Sequence, residues 1–344
     1  MNSQRVDVLV VGMGNLGRRF ARTICQKRDE LIERYGLDFR IVGAADSRGA
    51  AVAADGLDGA AIDEVKRSGG SVADLAEVGR PGMTGIELIE SVEADALCEA
   101  SPVDLDAGAE PALSRIRRAL EQGLHVTTPN KGPIVVAYRE LSALAAAHGV
   151  ELCFDGTVAG GLPAIALGAR DLRGARIERL ESVPNLTTGF VLDRLADGAS
   201  WETAIDEARR GGALEGDGAW DLDGWDAAAK LVILAQAVLD LDVRIDEIDM
   251  QGIRDIDLAW LREESRGNSV RLLARAEHRG DGYDLSVEPV SLPPNHPLGR
   301  LGPKGMGVTY VTDLFGTITS IIDEPTPLPS AMSMLRDLLA IYRG

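Results

Sequence analysis

Two oppositely charged residues, Asp226 and Lys230, are spaced so that they could act together on a small molecule. They are four positions apart, so on a helix they share one face and lie one turn from each other. The segment after Lys230 is apolar on nearly every side, which predicts a buried helix with this pair at its mouth. Two further carboxylates, Glu215 and Asp221, precede the helix, so the group could hold a zwitterion. The alternative is a surface ion pair that stabilises the protein by only about 0.3–0.5 kcal/mol.

A glycine-rich turn near the start of the chain follows an apolar strand and opens a helix. In such a turn Gly12 permits the tight bend, Gly14 lets the backbone approach a diphosphate, and Gly17 lets the helix and strand pack closely. A diphosphate would then rest on the helix N-terminus, beside Asn15 and Leu16. The pattern therefore predicts a dinucleotide site, with glycines in an ordinary loop as the alternative.

The choice between the two nicotinamide cofactors is predicted to depend on the residues that follow the second strand, at 40–45. A carboxylate at Asp46 would accept hydrogen bonds from the adenine ribose and repel a 2′-phosphate, which favours NAD slightly. Arg48 could instead bind that phosphate, so NADP stays open. Ser47 lies between the two and is included in the predicted cofactor site.

Two polar segments follow the predicted strands 94–99 and 124–127. In an open α/β sheet, ligands bind beyond the carboxyl ends of the strands, so both segments are predicted to face the nicotinamide half of the cofactor. The residues concerned are Ser101 and Pro102 in the first segment and Thr128, Asn130 and Lys131 in the second. A lysine at this place can polarise a carbonyl or hydroxyl group, which makes Lys131 a catalytic candidate. The alternative is that these are turn residues.

A third loop at a strand end, residues 155–161, contains Thr157 and a glycine pair that begins at Gly160. It could close around a substrate, or it could present backbone carbonyl groups to a cation. It could equally be a hinge between two domains.

The pattern of elements predicts two domains. Residues 1–160 alternate strands with helices, among them one helix over 15–33, which is typical of a Rossmann-type doubly wound parallel sheet. The stretch 49–90 is predicted as a helix with loops. Residues 161–307 are predicted to form an α+β substrate-binding and dimerisation domain with a mostly antiparallel sheet. Helices within 308–344, from about Val308 and from Ser330 to Tyr342, are predicted to complete the first domain.

The second domain is predicted to hold a mixture of helices and strands. The helices are expected at 163–172, 200–210 and 225–239, and the strands at 176–184, 245–254, 270–278 and 283–290. The last of these helices carries the Asp226 and Lys230 pair, so this domain is the one predicted to bind the substrate.

Composition and charge argue against several classes of protein. The 344 residues include 54 acidic and 36 basic ones, a net charge of −18, which repels phosphate backbones and anionic lipid. We therefore expect neither a nucleic-acid nor a membrane partner. The sequence has no run of about 18 apolar residues and no signal-peptide pattern at its start, which predicts a cytoplasmic enzyme or binding protein. The three cysteines and four histidines show no zinc-ligand spacing, and the metal content is left open.

These motifs together resemble those of homoserine dehydrogenase. The resemblance rests on the glycine turn, on Thr128-Pro-Asn-Lys131, on Thr157-Val-Ala-Gly-Gly-Leu-Pro163 and on Asp221-Leu-x-Gly-x-Asp226-x-x-x-Lys230-Leu, in the same order along essentially the whole chain. It implies a homodimeric oxidoreductase that interconverts L-homoserine and L-aspartate 4-semialdehyde by hydride transfer with NAD(P). Such a reaction belongs to the aspartate pathway towards threonine and methionine.

The resemblance also implies roles for single residues. Glu215 would bind the substrate amino group, and Asp221 and Asp226 would bind its polar atoms. Lys230 would face the reacting oxygen, and Lys131 would stand beside the nicotinamide. The loop 155–161 resembles the monovalent-cation loop of the family, and the substrate site would also include Thr157, Gly160, Thr187 and Thr188.

Two segments depart from the family pattern. The chain reads Asn185-Leu-Thr-Thr-Gly189 where the family has Asn-Gly-Thr-Thr-Asn, and Gly305-Met-Gly-Val-Thr-Tyr310 matches the late glycine loop only in part. Both lie where the shape of the substrate would be recognised. A dehydrogenase of the same scaffold that acts on another hydroxy or amino acid is therefore one alternative, and a non-catalytic dinucleotide-binding sensor is another.

Overall fold

The computed structural model describes residues 3–211, 214 and 218–343, and the chain divides into two compact units. The first unit consists of Met1–Gly161 and Thr326–Gly344, and the second of Leu162–Pro325. Each unit contains its own β-sheet. Within the described residues, no helix is both long enough and apolar enough to cross a membrane.

The first unit is an α/β structure in which strands and helices alternate. Its strands are β1 (Gln4–Val11), β2 (Leu37–Asp46), β3 (Gly49–Val52), β4 (Gly79–Pro81), β5 (Ala96–Glu99), β6 (His125–Thr127) and β7 (Leu152–Cys153). Its helices are α1 (Asn15–Gln26), α2 (Arg28–Tyr35), α3 (Gly59–Arg67), α4 (Gly85–Ser91), α5 (Ala112–Glu121) and α6 (Lys131–His148), together with a C-terminal helix, Leu328–Arg343.

The sheet of the first unit has the strand order β4-β3-β2-β1-β5-β6-β7. Strand β1 pairs in parallel with β2 on one side and with β5 on the other, and β6 and β7 continue the parallel part beyond β5. Strands β3 and β4 extend the sheet in antiparallel orientation beyond β2. The central strand is buried on both faces, and Val8, Leu9 and Val10 are wholly buried, as expected where helices cover both sides of a parallel sheet. The predicted Rossmann-type fold is confirmed.

Two predictions within the first unit were wrong in detail. The single helix predicted over 15–33 is two helices, because α1 ends at Gln26 and α2 begins at Arg28. The stretch 49–90 holds the strands β3 and β4 as well as helices. These strands are only four and three residues long, too short for their residue pattern to distinguish them from loop.

The second unit combines helices with a mostly antiparallel sheet. Its helices are α7 (Ala164–Ala166, continued by a π-helical turn over Leu167–Asp171), α8 (Thr187–Ala196), α9 (Trp201–Arg210), α10 (Ala219–Leu222), α11 (Trp225–Leu239) and α12 (Leu258–Glu264). Its strands are β8 (Ile177–Val183), β9 (Asp249–Met250), β10 (Ser269–Arg279), β11 (Gly282–Leu292), β12 (Gly305–Thr312) and β13 (Gly316–Asp323). Their order is β13-β12-β8-β10-β11-β9.

Helix α11 is the central helix of the second unit and has the bounds that the apolar pattern predicts. Ten of its residues are buried, including every position from Leu231 to Gln236. It contacts β8, β10 and β11, so part of its apolar surface is buried against the sheet. A helix that is apolar nearly all round requires such a buried position.

The prediction of a helix from about Val308 was wrong. That segment forms β12 and β13, which pair with each other and, through β12, with β8 of the second unit. Threonine and valine are frequent in β12, and threonine and isoleucine are frequent in β13; these β-branched residues favour extended backbone. Of the predicted C-terminal helices, only Leu328–Arg343, called α13 here, is present, and it packs on α1 and β6 of the first unit.

Candidate functional site

The glycine turn after β1 has the geometry of a diphosphate cradle. Gly12 has φ +94°, and a Cβ there would lie 2.2 Å from the Ser101 backbone nitrogen. A Cβ on Gly17 would lie 2.1 Å from the Gly12 carbonyl oxygen, so both positions require glycine. Gly14, which precedes α1, has nothing within 4 Å of where its Cβ would stand. The start of α1 has no side-chain cap, and the space beside Gly14 is open, which fits a bound diphosphate.

Asn15, the first residue of α1, brings two cations to this turn, and sequence reasoning missed both. Its side-chain oxygen accepts hydrogen bonds from Arg18 at 3.2 Å and from Arg19 at 3.0 Å. Arg18 also donates to Asp63 at 2.6 Å, which balances part of its charge, so Arg19 can contribute more to balancing the charge of a diphosphate. The sequence signal was present as two adjacent arginines in the first turn of the helix. Leu16 is half-buried and packs against the core of the unit.

Asp46 lies at the end of β2, as predicted, but its carboxylate is already engaged. Lys66 donates to it at 2.6 Å and Ser71 at 2.7 Å, and two backbone N–H groups add further hydrogen bonds. Burial would raise the pKa of this carboxyl group, but these donors outweigh burial and lower the pKa, so the group stays charged. No pattern in the sequence predicts Lys66 at this position.

Ser47 and Arg48 follow Asp46 on the exposed surface of the first unit. The Arg48 guanidinium donates to the Gly69 carbonyl at 3.0 Å and lies 3.9 Å from an Asp74 oxygen. The end of β2 therefore carries one internally bonded carboxylate and two cations, Arg48 and Lys66.

The two segments predicted to face the nicotinamide are brought together by Asn130. Its amide nitrogen donates to the carbonyl groups of Ser101, at 3.1 Å, and Pro102, at 3.3 Å. Its side-chain oxygen accepts from Gly132 N at 3.0 Å and caps α6, of which Lys131 is the first residue. The loops after β5 and β6 are thus fixed to each other.

Glu99, which sequence reasoning did not select, supports the same two loops. The Thr128 hydroxyl donates to its carbonyl at 2.7 Å, and its carboxylate accepts from Ser101 N at 2.9 Å. The carboxyl group is fully buried, and burial raises its pKa although Arg115 stands 3.7 Å away. A position at the end of a central parallel strand was the available sequence signal.

The loop 155–161 is held in place by its own backbone and by α13. The Thr157 hydroxyl donates to the Phe154 carbonyl at 2.7 Å within the loop. Gly160 has φ +60°, and the Gly161 carbonyl accepts from Arg336 of α13 at 2.6 Å. Among the residues that the structure describes, no group of three or more His, Cys, Asp or Glu side chains could hold a metal ion.

The Asp226 and Lys230 pair in the second unit has the predicted geometry. The Lys230 ammonium donates to the Asp226 carboxylate at 2.8 Å and to the Pro184 carbonyl at 2.9 Å. The two side chains are only 14% and 8% exposed. Because both side chains are largely buried, this is not the solvated surface ion pair that the sequence analysis left as the alternative.

A third residue, Asn185, connects the pair to the rest of the predicted substrate site. Its amide nitrogen donates to Asp226 at 3.0 Å and to Asp221 at 3.3 Å. The Thr187 hydroxyl donates to Asp221 at 3.3 Å, and the Thr188 hydroxyl donates to the Asn185 oxygen at 2.7 Å. Five predicted residues of the second unit are thus brought together, namely Asp221, Asp226, Lys230, Thr187 and Thr188, whereas Glu215 lies outside the described residues.

Known proteins of one family are similar to this chain over almost its whole length. Residues 163–339 match the family model described as homoserine dehydrogenase, and residues 12–155 match the one described as homoserine dehydrogenase, NAD binding domain. A homoserine dehydrogenase of Methanocaldococcus jannaschii is 34% identical over 98% of this chain and 99% of its own length.

Two further relatives bear on the cofactor. An NAD(+)-dependent homoserine dehydrogenase of Pseudomonas canavaninivorans is 33% identical, with 97% of this chain and 96% of the relative covered. A hyperthermophilic archaeal homoserine dehydrogenase, solved in complex with NADPH, is 26% identical. It superposes with a TM-score of 0.85, and the match covers 98% of each chain.

Proposed function

The chain belongs to the homoserine dehydrogenase family, and from this membership we propose how its own residues perform the reaction. The protein is an NAD(P)-dependent oxidoreductase that interconverts L-homoserine and L-aspartate 4-semialdehyde. In homoserine oxidation, the bound nicotinamide supplies the hydride acceptor. The residues of the chain must therefore bind the amino acid, orient its terminal carbon and remove the hydroxyl proton.

We assign the proton transfer to Lys230, and the observation that carries this assignment is its buried pairing with Asp226. An ammonium group has three N–H donors, and two of them are directed at Asp226 and the Pro184 carbonyl. The third donates to the reacting oxygen of the substrate. In oxidation, the unprotonated amine takes the hydroxyl proton while the C–H bond of the same carbon breaks, and in reduction the ammonium returns the proton to the carbonyl oxygen.

The substrate amino group is assigned to the carboxylates that precede α11. Asp221, held by Asn185 and Thr187, is the described member of this set. An ammonium group close to such a carboxylate gains both charge attraction and a hydrogen bond. The roles of Glu215, Thr157 and Gly160 stay predictions from the family resemblance.

In the first unit, the glycine turn with Arg18 and Arg19 is proposed to bind the cofactor diphosphate. Lys131, at the N-terminus of α6, is proposed to stand beside the nicotinamide ring. We further propose a modest preference for NAD, because Asp46 stays charged and would repel a 2′-phosphate. Lys66, bonded to Asp46, weakens that repulsion, so NADP is expected to be used as well.

Three finer predictions are proposals with separate tests. A monovalent cation at the loop 155–161 would appear as activation by potassium or sodium salts at constant ionic strength. A homodimer through the sheet of the second unit is supported by half-exposed apolar residues on its edge strand β13, such as Ile321 at 48%, and light scattering would give its mass. The cytoplasmic location stays a prediction from sequence.

The deciding experiment replaces Lys230 by alanine and follows nicotinamide absorbance with homoserine as the substrate. We expect kcat/KM to fall by at least about 100-fold, because the proton acceptor is lost, while NAD(H) binding measured by fluorescence is retained. Lys304→Ala is the matched control, since this lysine sits on the surface of the second unit before β12. Near-normal turnover of Lys230→Ala would refute the assignment.

A further inference from the structure

Asn185 occupies the centre of the substrate cluster. It is 6% exposed, and its side chain forms hydrogen bonds on both of its ends. The amide nitrogen donates to Asp226 at 3.0 Å and to Asp221 at 3.3 Å, and both carboxylates belong to the proposed site. A single amide group therefore connects these two aspartates.

The orientation of the Asn185 amide is fixed by Thr188. Its side-chain oxygen accepts from the Thr188 hydroxyl at 2.7 Å and from the Thr188 backbone nitrogen at 3.3 Å. If the amide were flipped, its oxygen would face two carboxylates and its NH₂ group would face the Thr188 backbone N–H, and these contacts are repulsive. The NH₂ group is therefore held towards the aspartates.

The same segment also reaches Lys230 directly. The carbonyl of Pro184, the residue before Asn185, accepts from the Lys230 ammonium at 2.9 Å. The oxygen of Asp226 that receives the Asn185 amide is the one that receives Lys230. Asn185 and Lys230 therefore share one acceptor atom, and the negative charge of Asp226 is divided between them.

We propose that Asn185 is a positioning residue for the reaction. Its amide holds the two carboxylates in one arrangement and limits how strongly Asp226 retains the proton of Lys230. The proposal rests on the assignment of Lys230 as the proton-transfer residue. Without the amide, the ion pair of Lys230 with Asp226 would tighten, which would oppose proton transfer from the substrate hydroxyl to Lys230.

The test compares Asn185→Ala with the wild-type enzyme in homoserine oxidation from about pH 6 to about pH 10. We expect kcat to fall on the order of tenfold and the pH of half-maximal kcat to rise, with an unchanged affinity for NAD(H). Asn185→Asp should shift the profile further in the same direction, because it adds a negative charge beside Asp226. Asn268→Ala is the matched control, since that amide also bridges two side chains of the second unit but lies at the start of β10.

A second variant keeps the proposal testable if Asn185→Ala folds poorly. Thr188→Val leaves Asn185 in place and removes the hydroxyl that orients it, so we expect a smaller rise of the same half-maximal pH. A wild-type pH profile in both variants, with losses confined to melting temperature as in Asn268→Ala, would overturn the proposal. If Lys230→Ala is inactive in the same assay, that result leaves the proposed function standing, whereas an active Lys230→Ala removes the premise itself.

Discussion

The end of β2 carries the charged groups proposed to affect which nicotinamide cofactor binds, namely Asp46, Lys66 and Arg48. Asp46 is charged, but its oxygens are already bonded to Lys66 and Ser71. A ribose hydroxyl would have to share these oxygens, so the contribution of Asp46 to binding is smaller than that of a carboxylate with no other partner. Its charge still acts on a 2′-phosphate at close range. We therefore propose that the balance of Asp46 against Lys66 and Arg48 influences the choice between NAD and NADP.

Asp46→Asn is expected to increase the preference of the enzyme for NADP relative to NAD. The substitution removes one negative charge and keeps a side chain of similar size, while the two cations remain. We expect kcat/KM for NADP relative to NAD to rise by about tenfold, which corresponds to about 1.4 kcal/mol. Asp38→Asn is the control, because this buried carboxylate lies on the same strand and is paired with Arg28 and Arg40. An unchanged ratio in Asp46→Asn would show that Asp46 does not contribute to the choice.

Residues that act together were predictable when helix geometry alone brings them together. Asp226 and Lys230 share a face by their spacing of four, and the structure has them 2.8 Å apart. Lys66 and Asp46 are 20 positions apart, and Asn185 and Asp226 are 41 apart. Their contacts join α3 to the end of β2 and the segment before α8 to the first turn of α11, and no local pattern encodes either contact.

Helix α13 carries a buried titratable group into the first unit. Asp337 is 5% exposed, and the Thr127 hydroxyl at the end of β6 donates to it at 2.7 Å. Burial, followed by the nearby charge of Asp155, raises the pKa of Asp337 to about 7, although Thr127 and Arg336 act in the opposite direction. The folded protein therefore binds a proton at this residue that the unfolded chain, with an ordinary pKa near 3.8, has lost at neutral pH.

This proton predicts how stability changes with pH. Because the folded pKa is the higher one, the contribution of Asp337 is fully present below about pH 4 and is lost as the pH rises through about 7. Asp337→Asn keeps an acceptor for Thr127 and does not ionise. We expect it to raise the free energy of unfolding by about 1–4 kcal/mol at about pH 8 and by much less at about pH 5. Urea unfolding at both pH values measures this, and equal gains would contradict it; exposed Asp281→Asn is the control.

Elements were predictable where a long periodic segment repeats one pattern. The glycine turn, β1 and α11 were of this kind, since each combines a strong apolar pattern with clear ends. The pair β3 with β4 was missed because strands of four and three residues have little local signal, and the pair β12 with β13 was missed although its β-branched residues favour strands. Their conformation is decided by the neighbours they pair with, and β12 is fixed by β8, more than 120 residues earlier in the chain.

The path of the whole chain makes its two ends interdependent. The chain leaves the first unit at Gly161 and returns to it at Thr326. The C-terminal helix α13 therefore belongs to the same unit as the N-terminal part of the chain. Met334 and Leu338 of this helix are wholly buried in the core of that unit. Each buried side chain of this size contributes about 1.5–3 kcal/mol, and whole domains are stable by only about 5–15 kcal/mol.

The cofactor-binding unit is therefore expected to need α13 and to fold without the second unit. Gly161 lies against α13, since a Cβ there would stand 2.5 Å from the Pro329 side chain and its carbonyl accepts from Arg336 at 2.6 Å. A flexible linker of about six residues can therefore join 161 to 326. We expect this joined chain to unfold cooperatively and to bind NAD(H) by fluorescence, whereas residues 1–161 alone should do neither. Cooperative unfolding of 1–161 would show that α13 is dispensable, and loss of binding in the joined chain would show that the second unit contributes to the cofactor site.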